Sequence, residues 1–224
     1  MTYTWLHLLD DFPEPLEAFV RGSLEPYLMD VHVMLGVTGP VIDPRLPPHL
    51  LGRSVALTLL TVVSSAADTL YAKRGKNKEK FVGVLKAYYP WDRAPASGLS
   101  EEEAADLLYQ EFRNPIAHRA GIRPAGEVTM GIFLPFPGSG NAYREIAAFE
   151  QSDGPPSNET LNIDSATCHL EVRTFYWGVR KMIEAITADR SRWPNMVDWL
   201  QNHRFLPKGA RLEAERARSE ERER

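Results

Sequence analysis

Residues 50–73 of this 224-residue chain read LLGRSVALTLLTVVSSAADTLYAK and predict the central helix of the fold. Large apolar side chains occur on almost every side of the segment at helical spacing, which is typical of a helix surrounded by others. The uncharged run between Arg53 and Asp68 has 14 residues, five of them Ser or Thr. A membrane span needs roughly 20 apolar residues. The segment therefore predicts a buried helix of a soluble protein with no membrane association.

Further helical patterns lie on both sides of this segment. The pair of prolines in Pro13-Glu14-Pro15 begins one of them, and the capping box Ser100-Glu101-Glu102-Glu103 begins another, because Ser and Glu there satisfy free backbone donors reciprocally. A cap at Asp164 or Ser165 is expected for a long helix near the C-terminus. The predicted ranges are about 14–35, 77–89, 101–112, 165–188 and 191–203.

From Gly126 the apolar period changes from helical to alternating, which is typical of a strand. A second strand-like run follows the Pro/Gly turn, at 142–150, so residues 126–150 predict an inserted β-hairpin. The fold class expected is mainly all-α: an antiparallel helical bundle in one domain, residues 1–207. The tail 208–224 has six basic and five acidic residues and one large apolar side chain, and is expected to be solvated or disordered.

Composition limits the classes of function. The net charge of −4 argues against tight non-specific binding of duplex DNA, but it permits a small local basic site. The single cysteine, Cys168, excludes an intramolecular disulfide and favours a reducing, cytoplasmic compartment. The histidines show no pair at metal-ligand spacing, so we expect neither a metal nor a cofactor.

The segment Arg113-Asn114-Pro115-Ile116-Ala117-His118 is the candidate site. Pro115 disfavours helical geometry at Asn114 and suits the first position of a new helix, so the sequence predicts a break in the helix with Asn114 as N-cap. Arg113 and His118 would then lie beside a helix N-terminus. Such a terminus favours an anion such as phosphate and disfavours protonation of a nearby histidine.

These residue types can in principle cleave RNA without a metal, because RNA carries its own nucleophile, the 2′-hydroxyl. A histidine can move the proton and an arginine can offset charge on the phosphate oxygens. One Arg–His pair supports modest catalysis, since acid–base action contributes about 10²–10⁴-fold. Two pairs related by symmetry would supply both an acid and a base.

The pattern Arg113-Asn114-x-x-x-His118, after an apolar helix, resembles the Arg-x4-6-His motif of HEPN-domain proteins (higher eukaryotes and prokaryotes nucleotide-binding). The resemblance covers roughly residues 50–120. It implies a HEPN-type bundle that forms a homodimer with two motifs facing each other. It also implies a metal-independent endoribonuclease acting in defence, stress or toxin–antitoxin systems, with an antitoxin or regulatory protein as a further partner. An acidic residue on an earlier helix, here Asp68, would orient the arginine.

Three interpretations remain open from the sequence. Arg113 and His118 can form a ribonuclease site, or they can serve dimer packing or ligand binding in a non-catalytic HEPN-like module that binds RNA or nucleotide. They can also be ordinary residues of an unrelated helical protein. In the last case Arg113 would be a surface or core-edge arginine paired with Glu111, Asp106 or Asp68, and His118 would pack in the core.

Overall fold

The computed structural model describes residues 6, 8–36, 51–71, 75–96, 98–119, 129–133, 154–155, 157–163 and 167–202. This part of the chain is mainly helical, as predicted. The helices are α1 (Glu14–Phe19), α2 (Glu25–Gly36), α3 (Gly52–Leu70), α4 (Asn77–Tyr88), α5 (Glu101–Leu107), α6 (Asn114–Arg119), α7 (Val172–Ala188) and α8 (Trp193–Asn202). Two π-helical turns, Val20–Leu24 and Leu108–Arg113, a 3₁₀ turn, Arg190–Arg192, and strands β1 (Thr129–Phe133), β2 (Leu161–Ile163) and β3 (Thr167–Glu171) complete it.

Helix α3 is the central helix, which confirms the prediction within Gly52–Leu70, while residues 50, 72 and 73 lie outside the described residues. It contacts α2, α4, α6, α7 and α8 as well as β1. Most of its apolar side chains, among them Val55, Leu59 and Val62, are buried, whereas Leu57 is exposed. None of the helices in the described ranges combines the length and the apolar character that a membrane crossing requires.

The capping box at the start of α5 is confirmed. Ser100 Oγ accepts a hydrogen bond from the Glu103 N–H at 3.3 Å, and Glu103 Oε2 accepts from the Ser100 N–H at 2.9 Å. The Ser100 hydroxyl and the Ser100 N–H both donate to the ionised Glu103 carboxylate, and these two bonds hold the pKa of Glu103 below its usual value. Two salt bridges then tie α5 to α4, Lys86–Glu102 at 2.7 Å and Lys78–Asp106 at 2.5 Å. The cap therefore fixes where the helix that carries Arg113 begins.

The helix predicted at 165–188 begins later than expected, at Val172. Residues 167–171 form β3, and the cap is Glu171, whose carboxylate accepts from the N–H groups of Arg173 and Thr174, rather than Asp164 or Ser165. Cys168 and Leu170 are both buried at strand spacing. Cys168 lies four residues before Val172, a helical spacing, and two residues before Leu170, a strand spacing, so the period alone misplaced the boundary.

The strand expected near residue 130 is present as β1, and its neighbour among the described strands is β3. β1 pairs with β3 in parallel, with Thr129 opposite Thr167, and β2 pairs with the other edge of β3 in antiparallel. A parallel pair needs a long connection, in contrast to a hairpin. The second half of the predicted hairpin, 142–150, and the tail 208–224 lie outside the described residues.

The predicted helix break at Pro115 is wrong. Asn114 has helical geometry (φ −67°, ψ −49°), and one continuous helix runs from Glu101 to Arg119 through the second π-helical turn. A proline inside an α-helix clashes with the carbonyl four residues earlier. That carbonyl belongs to Glu111, within the π-helical turn, and the Asn114 N–H bonds to the Tyr109 carbonyl five residues back. The wider turn therefore accommodates the proline without a break.

A π-helical turn also precedes Pro26. The first π-helical turn ends two residues before this proline, as the second one does before Pro115, and the Glu25 N–H bonds to the Val20 carbonyl five residues back. Residues 14–36 therefore form one continuous helical stretch, close to the predicted range of 14–35. In both places a π-helical turn widens the backbone and accommodates a proline. Because the helix continues through Asn114, no free helix N-terminus is present there to bind an anion.

Candidate functional site

Arg113 is held on the helix surface by its own neighbours. Its Nη1 donates a hydrogen bond to Asn114 Oδ1 at 3.1 Å, and its guanidinium carbon lies 5.5 Å from the centroid of the Tyr109 ring. Both Arg113 and Asn114 are half-buried. The Asn114 side chain thus orients a guanidinium group and does not cap a helix, which corrects the role that the sequence indicated for it.

The ring under Arg113 is itself fixed. Tyr109 packs edge-on against Phe81 of α4, with 5.3 Å between ring centroids and an angle of 61° between the rings. Phe81 is 1% exposed, and Leu108 and Phe112 anchor the π-helical turn in the core. A cation over an aromatic face is attracted by about 0.5–1 kcal/mol at exposed sites. The guanidinium group is therefore supported by a ring that the core holds in place.

The backbone of His118 lies in α6, five residues after Arg113 on the same continuous helix. Pro115 and Ile116 are buried, and α6 contacts the central helix α3. The anchored residues between the two site positions therefore fix the backbone separation of Arg113 and His118.

Asp68 does not lie against Arg113 in the described structure. Its carboxylate Oδ1 is 3.4 Å from Lys80 Nζ, and no hydrogen bond or ion pair joins it to Arg113 in that part of the chain. Asp106, another carboxylate expected near Arg113 in the alternative interpretation, binds Lys78. Both acidic residues thus have lysines of α4 as their partners.

An acidic groove of about 820 Å³ runs between α4 and the helix that leads to Arg113. Five carboxylates line it, and the two lysines that also line it are both engaged in the α4–α5 salt bridges. The carboxylates are Glu79, Glu102, Glu103, Asp106 and Glu111. Like charges repel a phosphate backbone, so this groove is a poor surface for RNA. In the described ranges, no three His, Cys, Asp or Glu side chains are grouped to hold a metal ion.

Tyr109 is the residue of this site that the sequence analysis missed. An aromatic residue four positions before an arginine lies on the same face of a helix, so the spacing Tyr109–Arg113 was the available signal. The break expected at Asn114 placed the candidate site in the residues after Arg113 instead.

Two other buried ionisable groups have structural roles. Burial raises the pKa of Glu171, whose carboxylate caps α7. Burial also raises the pKa of Tyr89, whose hydroxyl lies 2.5 Å from Thr160 Oγ1. Thr160 Oγ1 donates its hydrogen to the Ala94 carbonyl, so the Tyr89 hydroxyl is the donor between them. Since each group is satisfied within the fold, neither forms a second candidate site.

Comparison with known proteins gives no match: no family model, no curated protein and no solved structure is significantly similar to this chain. The functional assignment therefore depends on the geometry and chemistry of the site itself.

Proposed function

We propose that this chain is a metal-independent endoribonuclease that cleaves RNA through Arg113 and His118, with Asn114 and Tyr109 orienting the arginine. The main observation in favour of the proposal is that two neighbouring groups hold the Arg113 guanidinium in place. A neutral amide oxygen at 3.1 Å and an aromatic ring at 5.5 Å hold it half-buried at the helix surface. Asp68 is left out of the site because Lys80 is its partner.

The proposed reaction needs only groups of the protein and the RNA. The His118 imidazole takes the proton of the 2′-hydroxyl, and the O2′–P bond forms as the P–O5′ bond breaks. The leaving O5′ receives a proton from a second imidazole, and the products are a 2′,3′-cyclic phosphate and a free 5′-hydroxyl. Arg113 offsets the charge that grows on the phosphoryl oxygens, a role worth about 10²–10³-fold for one positioned donor.

The second imidazole requires a homodimer, since each chain supplies one Arg113–His118 pair. The resemblance to HEPN proteins supports this assembly, as well as a role in defence, stress or a toxin–antitoxin pair with a regulatory protein. The second candidate function is a HEPN-like dimerisation or RNA-binding module. It would have the same fold but would not cleave RNA.

The experiment is RNA cleavage by the purified full chain in excess EDTA. A fluorescent single-stranded RNA is expected to be cut to products that end in a cyclic phosphate. The same RNA with 2′-deoxy nucleotides throughout should remain intact, because the nucleophile is missing. A homodimer by analytical ultracentrifugation that binds the RNA and leaves it uncut would favour the non-catalytic module. Cleavage that depends on an added metal would contradict the mechanism.

A further inference from the structure

A second cleft lies on another side of α3. It has a volume of about 500 Å³ and is formed by α1, the first π-helical turn and α2 on one side, and by α3 and α8 on the others. Three aromatic residues contribute to its wall: Phe19, Tyr27 and Trp199. Small-molecule sites of this kind have mostly apolar walls, a few placed polar groups and volumes of about 300–1,000 Å³.

The carboxylate of Asp68 belongs to the wall of this cleft. Among the described residues that line it, Asp68 alone is charged. Lys80, its partner, is 14% exposed and is not part of the wall, whereas Asp68 is 48% exposed. The lysine contacts Oδ1, and within the described chain Oδ2 has no hydrogen-bond partner. One oxygen of a carboxylate in the cleft wall is therefore left available to accept a hydrogen bond.

The hydroxyl of Ser65 is a further acceptor in the wall. Along α3, the hydroxyls of Thr58, Thr61 and Ser64 each donate to the carbonyl four residues earlier. The Ser65 hydroxyl makes no such bond in the described structure. It lies one turn before Asp68 on the same helix, so both can face one ligand group.

The cleft is open because Gly22 has no side chain there. A Cβ atom built at Gly22 meets no other atom within 4 Å. Gly22 belongs to the first π-helical turn, the local widening that Pro26 imposes. Single π-helical turns are frequent at functional sites. The space beside Gly22 thus results from the widened π-helical backbone and from the absence of a side chain at this position.

We propose that this cleft binds a small organic cation, a primary ammonium group carried on an apolar body. An ammonium group has three donors and no acceptor, which suits the Asp68 carboxylate and the Ser65 hydroxyl. Cations are also attracted to the faces of Trp and Tyr rings. The apolar body would lie against Phe19, Tyr27 and Trp199. This site is separate from Arg113 and independent of RNA cleavage.

Isothermal titration calorimetry with 2-phenylethylammonium as probe tests the proposal, with 2-phenylethanol as the uncharged control of nearly equal shape. The ammonium is expected to bind at least about tenfold more tightly than the alcohol. Asp68→Asn should abolish that difference. Glu102→Gln, which removes a lysine-paired carboxylate in the other groove, should leave it unchanged.

Gly22→Met provides a second variant that does not depend on a charge. The methionine side chain should fill the cleft and block the probe, and the fold should be kept because a Cβ atom at this position meets no other atom within 4 Å. The replacement also carries no cost in helix propensity, because methionine favours the helix more than glycine does. Equal affinity for ammonium and alcohol, or ammonium binding that survives both Asp68→Asn and Gly22→Met, would overturn the proposal. Absence of ammonium binding at millimolar concentration would overturn it as well.

Discussion

Arg113→Lys is expected to lower the rate constant of RNA cleavage by about 10²–10³-fold, the usual effect of losing one positioned donor at a reacting phosphate. Lysine keeps the positive charge but lacks the planar fork that grips a phosphate through two parallel hydrogen bonds. It also lacks the guanidinium group that donates to Asn114 Oδ1 and lies over the Tyr109 ring. Single-turnover cleavage of the fluorescent RNA measures the effect.

Two control variants separate this effect from a general one. Arg190 also stacks on an aromatic ring, 5.6 Å from the Trp193 centroid, so Arg190→Lys tests the loss of a stacked guanidinium elsewhere and should leave cleavage unchanged. Tyr109→Phe keeps the ring under Arg113 and should retain most of the activity. An Arg113→Lys protein that cleaves at the wild-type rate would show that Arg113 takes no part in the reaction.

Gly178→Ala is expected to lower the free energy of unfolding by about 1–3 kcal/mol, the usual cost of an overpacked core. A methyl group at 178 in α7 would overlap the Tyr89 ring. That ring cannot move easily, because Tyr89 is 4% exposed and its hydroxyl donates to Thr160 Oγ1. Alanine usually stabilises a helix interior by about 1 kcal/mol relative to glycine. A loss of stability in this variant would therefore indicate the overlap with the Tyr89 ring.

Gly83→Ala is the matched control for this prediction. Gly83 also lies in a helix and faces a tyrosine, but a Cβ there would be 3.6 Å from the Tyr71 ring, an ordinary contact. This variant should be as stable as the wild type or more so in chemical denaturation followed by circular dichroism. If Gly178→Ala were equally stable, the packing of Tyr89 against α7 would be incorrect.

The features predicted well from the sequence are those that local chemistry decides. The apolar run 50–73 could be satisfied only by burial, and Ser100 with Glu103 forms a complete hydrogen-bonded cap within four residues. The strand at 129–133 likewise follows from its alternating pattern. Its parallel partner, 167–171, lies more than thirty residues away, and no local pattern specifies such a pairing.

The candidate site was predicted in part. Arg113, Asn114 and Tyr109 lie together because consecutive turns of one helix bring them together. The break at Pro115 was wrong, because the local cost of a proline can be relieved by a π-helical turn as well as by a helix end. The partner of Asp68 was decided by the packing of α4 against α3, which places Lys80 beside it.

The proposed mechanism requires His118 to move protons during RNA cleavage. Cleavage of the fluorescent RNA in EDTA is compared between the wild type and His118→Ala, two proteins first shown to have the same unfolding temperature and oligomeric state. The rate constant of the variant is expected to be lower by about 10²–10⁴-fold, the contribution of general acid–base catalysis. Cleavage by His118→Ala at the wild-type rate would show that His118 does not transfer protons in the reaction.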